Sequence, residues 1–93
     1  MRIRSLTGAF AGDKDAAARI REEHITPALE AGRKVVLDFQ GVDLATQSFI
    51  HALIASTVRE SPAAVDRMEF RNCNSSIRSL VEIVIEYAQD EFG

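Results

Sequence analysis

The chain has 93 residues, 46% of them hydrophobic and 27% charged, and a formal net charge of −3. That length fits one domain, residues 1–93, and the composition is that of an ordinary globular protein rather than a disordered one. The acidic balance disfavours nucleic-acid binding and a polybasic membrane-surface role, since both need a basic footprint.

Cys73 is the one cysteine, so no internal disulfide can form and a reducing compartment is expected. Met1 to Arg4 carries charge but no apolar run follows. Thr7, Gly8, Gly12 and Asp13 interrupt it, so no signal peptide is predicted. No apolar segment approaches the ~18 residues of a membrane span. The expected setting is cytoplasmic, with no membrane partner. A chain this small buries a modest share of its surface, so a protein partner or a homodimer would add stability.

Taken in order, Ile3 to Leu6 reads as an edge strand, with Arg2 and Arg4 at the outward positions. Gly8 to Gly12 is a loop. Its glycines and Lys14 resemble a phosphate loop, but they stand one residue too close and no Gly-Lys-Ser/Thr follows. Asp13 and Lys14 are followed by Asp15, and two carboxylates around the lysine would repel a phosphate.

Asp13 or Asp15 is a predicted cap for a helix from Ala16 to His24, with Ala17, Ile20 and His24 on one face. Pro27 predicts a break near Ile25-Thr26, with Thr26 extended and Pro27 opening a final short turn. Gly32 stops that segment.

Val35, Val36 and Leu37 are apolar without alternation, which predicts a strand covered on both faces. Phe39 and Val42 continue the core across a turn through Gly41. A helix then starts near Ser48. Phe49, Ile50, Ala52, Leu53, Ile54, Ala55 and Val58 make its apolar face too wide for a surface helix. It should pack on two sides, against the sheet and against a neighbouring helix or another chain.

Ser61-Pro62 ends that helix, and Arg67 to Phe70 alternates as a strand. Asn74 or Ser75 caps a last helix from Ser76 to Asp90, with Ile77, Leu80, Val81, Val84, Tyr87 and Ala88 at helical spacing. Glu82, Glu86, Asp90 and Glu91 form its solvated face. The expectation is a small α/β domain of about four strands and three helices. In such folds, functional groups gather at the carboxyl ends of strands. Asp43 to Ser48 and Asn72 to Ser76 are those places, and parallel pairing of their strands would put both on one edge.

Val35-Val36-Leu37-Asp38-Phe39-Gln40-Gly41-Val42 followed by Thr46-Gln47-Ser48-Phe49 resembles the STAS domain of bacterial anti-sigma factor antagonists. Ser48-Phe49 and Phe70-Arg71-Asn72 are more similar to a bacterial family of STAS-like domains without assigned function. The resemblance implies a non-enzymatic regulatory module that works by partner switching. It lays Ser48 on the phosphorylatable serine, Gln47 on the serine before it, Thr46 on an aspartate and Phe49 on a glycine. A histidine-kinase-like ATPase is the partner it implies. Thr46 and Phe49 depart from the antagonist pattern, and Phe49 brings bulk to a kinase's approach.

A serine in the first turn of a helix lies over unpaired N–H groups, where a phosphate changes the charge by ~−1.5 to −2. The plainer role for Ser48 or Thr46 is helix capping. Asp43, Thr46, Gln47, Ser48 and His51 are the expected partner-binding residues, with Ser48 the phosphorylation candidate. The alternative is a small anion or nucleotide held by the same edge through Asn72, Asn74 and Ser75. Ser48 and His51 stand one turn apart, but no third orienting group or oxyanion loop adjoins them, so no enzyme is predicted. One cysteine and two distant histidines give no metal spacing, and no cofactor is expected. Cys73 before a helix start is where a thiolate would be favoured. A homodimer through the broad apolar face of the central helix is compatible with either reading.

Overall fold

The structure is a computed structural model that describes residues 1–90. Its four short strands form two separate parallel pairs, set among five helices, in a small α/β domain. Glu91 lies outside the described residues.

Met1 and Arg2 run beside the central strand. The Met1 nitrogen donates to the Val36 carbonyl at 3.0 Å, and the Asp38 N–H donates to the Met1 carbonyl at 2.9 Å. Arg2 bridges Asp38 in parallel register. The edge pairing therefore falls on Met1-Arg2, and the expected strand Ile3–Leu6 is instead helix α1 (Ile3–Thr7). The reason lies in its sparse apolar content. One helical turn buries Ile3 completely and leaves Leu6 about half exposed, and a strand there would have had no second apolar face to offer. Gly8 closes the turn at φ 79°.

Strand β1 (Phe10–Ala11) follows. It pairs with β3 (Leu44–Ala45), Phe10 opposite Leu44 and Ala11 opposite Ala45. Both were expected as loop. Asp13 caps α2 (Lys14–Ile20), its carboxylate accepting from the N–H groups of Asp15 (2.9 Å) and Ala16 (3.4 Å).

The break foreseen before Pro27 is a π-helical turn, Arg21–Ile25, leading into α3 (Thr26–Glu30). Thr26 is helical (φ −58°, ψ −47°) rather than extended. The wider turn relaxes the bonding pattern just before Pro27, which stands in the first turn of α3, where its missing N–H costs nothing. His24, expected on the inner face, is exposed, because the π turn shifts the helix's phase. Gly32 ends the segment at φ 75°.

Strand β2 (Val35–Asp38) pairs in parallel with β4 (Met68–Arg71), from Val35 opposite Met68 to Asp38 opposite Arg71. Helix α4 (Gln47–Glu60) and a 3-10 segment (Pro62–Arg67) connect them. Helix α5 (Ser75–Asp90) closes the described chain. As its apolar width demands, α4 packs on two sides, but its main neighbours are the helices α2 and α5, where the sheet and one helix or another chain were expected. Phe49, Ile50, Leu53, Ile54, Ala55 and Val58 are all buried there. That face is filled within the chain and is not open to a second copy.

On α5 the inner stripe is Ile77, Val81, Val84 and Ala88. Tyr87, expected to point inward, lies beside that stripe and is 56% exposed. The core contains no buried polar or charged residue among those described.

Candidate functional site

Because β2 and β4 are parallel, the loops after them emerge on one edge. Side-chain bonds then join the loops. The Asn72 amide donates to the Asp38 carboxylate at 2.9 Å, and the Asn74 amide donates to the Asp43 carbonyl at 2.9 Å. Asn72 holds φ 58°, a left-handed conformation that asparagine tolerates better than most residues. Asn74 also caps α5, its side-chain oxygen accepting from the Ile77 N–H at 2.9 Å.

Asp38 accepts from the Gln40 N–H at 3.0 Å as well as from Asn72. The Asn72 bond first, then the Gln40 N–H, hold its carboxyl below the ordinary aspartate range, with a smaller contribution from the Arg2 charge. Beside it, Glu69 is lowered by its bonds to Arg71 at 3.0 and 3.2 Å.

The start of α4 is arranged differently. Thr46 caps it, its hydroxyl oxygen accepting from the Phe49 N–H at 3.1 Å. The helix thus begins one residue before Ser48. Phe49 is fully buried, so its ring faces the core and does not stand over Ser48. Gln47 and Ser48 are exposed. Among the described residues the Ser48 hydroxyl makes no hydrogen bond. Lys14, Gln47, Ser48, His51 and Ala52 line a shallow open depression of about 410 Å³.

Just ahead of Thr46 lie two apolar side chains that are not among the residues expected at the site. Phe10 is 60% exposed and Leu44 59% exposed, and they sit opposite one another in the β1–β3 pair. Paired strand positions present their side chains to the same face, so the two form one apolar patch. The Phe10 ring folds over Gly12, where an added Cβ would lie 2.7 Å from the ring. An apolar residue between two loop glycines was the available signal.

His51 is half-buried on α4. Its Nε2 lies 3.1 Å from an Arg59 guanidinium nitrogen, and its ring centroid is 6.3 Å from that of Tyr87. No hydrogen bond joins it to Ser48 among the described residues. Asp43, Thr46, Gln47, Ser48 and His51 thus cluster around the first turns of α4. Asn72 and Asn74 lie across the edge, with their amides engaged in holding the loops. Ser75 is exposed, and its carbonyl accepts from the Ser79 hydroxyl at 2.9 Å.

Cys73 departs from expectation. Burial first of all raises its thiol pKa, and only the Arg78 charge works in the other direction, so the shift runs away from the thiolate that a helix start favours. Among the described residues, no group of three His, Cys, Asp or Glu side chains is placed to hold a metal ion. Among them, too, no helix is long and apolar enough to cross a membrane.

No curated protein and no solved structure is significantly similar to the chain. The family model of a STAS-like domain of unknown function (DUF4325) matches residues 16–78, which include the π turn, β2, α4, β4 and the start of α5. The chain belongs to this family of STAS-like domains.

Proposed function

We propose that the domain is a regulatory protein-binding module, not an enzyme, that works by partner switching in the bacterial cytoplasm. Its partner docks over the edge formed by Asp43, Thr46, Gln47, Ser48 and His51. A histidine-kinase-like ATPase is the partner class that the STAS-like relationship suggests. Phosphorylation of Ser48 releases that partner.

One observation carries the reading. Ser48 is exposed, without a hydrogen-bond partner among the described residues, and lies a few residues past the exposed Phe10–Leu44 patch. An exposed apolar pair rimmed by polar groups fits the anatomy of a protein interface. A phosphate on the rim would sit at the positive end of α4, where the domain tolerates it, and would place a dianion against a partner's surface.

The test is quantitative capture from the native host, comparing wild type with Ser48→Ala, Ser48→Asp and Phe10→Ser. The expected result is one stoichiometric protein partner, kept by Ser48→Ala and lost by Ser48→Asp and Phe10→Ser. Equal capture by all four forms would refute the switch.

A further inference from the structure

On the outer flank of β2, away from β4, lies an open cleft of about 500 Å³. Arg2, Arg4, Ser5, Gly8, Gln40 and Gly41 line it. In sequence the two arginines are only the outward positions of an expected strand. The structure brings both to one cleft, because pairing at Arg2 is followed at once by the helical turn of α1.

The turn after β2 shapes that cleft. Gly41 has φ 80°, and a Cβ there would lie 2.5 Å from Arg4 Cδ and 3.1 Å from Arg4 Nε. The Arg4 side chain therefore lies across bare backbone, and a larger residue at position 41 would displace it. No acidic side chain lines the cleft. Neither Arg2 nor Arg4 forms an ion pair among the described residues. Asp38, the nearest acid to Arg2 along the bridge, has an oxygen engaged by Asn72 and Gln40.

We propose that this cleft binds the phosphate dianion of a small phosphorylated molecule between the Arg2 and Arg4 guanidiniums. Ser5 and Gln40 supply neutral donors beside the guanidiniums. Guanidinium forks suit phosphate oxygens, and two of them favour a dianion over a monoanion. The open mouth leaves room for the rest of the molecule. The site stands apart from the α4 start, and the proposal does not depend on partner binding there.

The experiment is an NMR titration of the isotopically labelled protein at low salt with glycerol phosphate, inorganic phosphate and acetate. Both phosphates are expected to give saturable shifts at the Arg2 and Arg4 Nε–H signals and the Gln40 and Gly41 amides. Acetate is expected to give much smaller ones. Tighter binding of the ester identifies a phosphorylated metabolite as the ligand class, and equal binding identifies free phosphate. Arg2→Gln and Arg4→Gln should each weaken binding about tenfold, the usual scale for a lost charge-assisted bond. Lys14→Gln, which removes a cation near Ser48, should leave it unchanged. Shifts that do not saturate, that centre on Ser48, or that persist in both arginine variants would overturn the proposal. The wild-type titration decides the first two on its own, so a misfolded variant cannot rescue the claim.

Discussion

Two helices begin on the same edge of this domain, and they begin differently. At α5, Asn74 caps the helix with its side-chain oxygen and ties the neighbouring loop with its amide. At α4, Thr46 caps the helix but its side chain ties no neighbouring loop; the next two side chains face solvent, as Ser75 and Ser76 do at α5. The same local chemistry thus makes a start tied to the neighbouring loop in one place and an untied start in the other. An element with its polar groups satisfied inside the chain holds the edge in shape. An element whose polar groups are left to solvent is the one available to a partner.

The largest expected effect separates the two aromatic residues near the untied start. Phe49→Ala removes a fully buried ring that anchors the first turn of α4 and should cost about 3–5 kcal/mol in denaturant unfolding. Phe10→Ala should change stability by no more than about 0.5 kcal/mol, because the ring is already largely in water. Similar costs for the two would mean that Phe10 is structural and the patch is not a docking surface.

Next come the caps. Asn74→Ala loses both the α5 cap and the loop tie and should cost about 1–2 kcal/mol. Thr46→Ala should cost about 1 kcal/mol. A Thr46 variant that loses more than the Asn74 variant would reverse the contrast between untied and tied starts.

A smaller effect is read in acid. The carboxyl of Asp38 is held low by Asn72, so its contribution to stability is fully present above the unfolded-state pKa. That contribution is lost as pH falls through the folded-state value. A carboxyl-detected NMR titration should place the Asp38 midpoint below that of an ordinary aspartate, and Asn72→Ala should move it upward. An unmoved midpoint would show that the Asn72 bond does not hold the loops together in solution. The smallest expected effect is Ser48→Asp on the free domain, within about 0.5 kcal/mol and on the stabilising side, because the new charge sits at a helix start.

The sequence made much of this legible where side-chain pattern and length agree. The unalternating Val35-Val36-Leu37 run specified β2, and the wide apolar face from Phe49 to Val58 specified a helix buried on two sides. The caps were readable to within two residues each (Asp13 or Asp15, Thr46 or Ser48, Asn74 or Ser75) because their chemistry is local, and the structure selects Asp13, Thr46 and Asn74. Strands of two residues, such as Phe10–Ala11 and Leu44–Ala45, carry no periodicity to read, since their pairing is a tertiary event. The helical turn at Ile3 and the π turn before Pro27 arise likewise from packing rather than local preference. For the candidate site, the polar cluster around Ser48 was visible, but the apolar patch beside it depended on those unread strands.

The central claim is that the start of α4 is the surface a partner covers. A photo-crosslinking residue placed at Gln47, compared in the native host with one at Glu30, tests it most directly. Gln47 opens α4, whereas Glu30 lies with Glu60 and Ser61 at the far end of that helix. The account predicts one dominant protein crosslink from Gln47, abolished by Ser48→Asp, and none from Glu30. Crosslinks of equal yield from both positions, or a dominant one from Glu30, would contradict it.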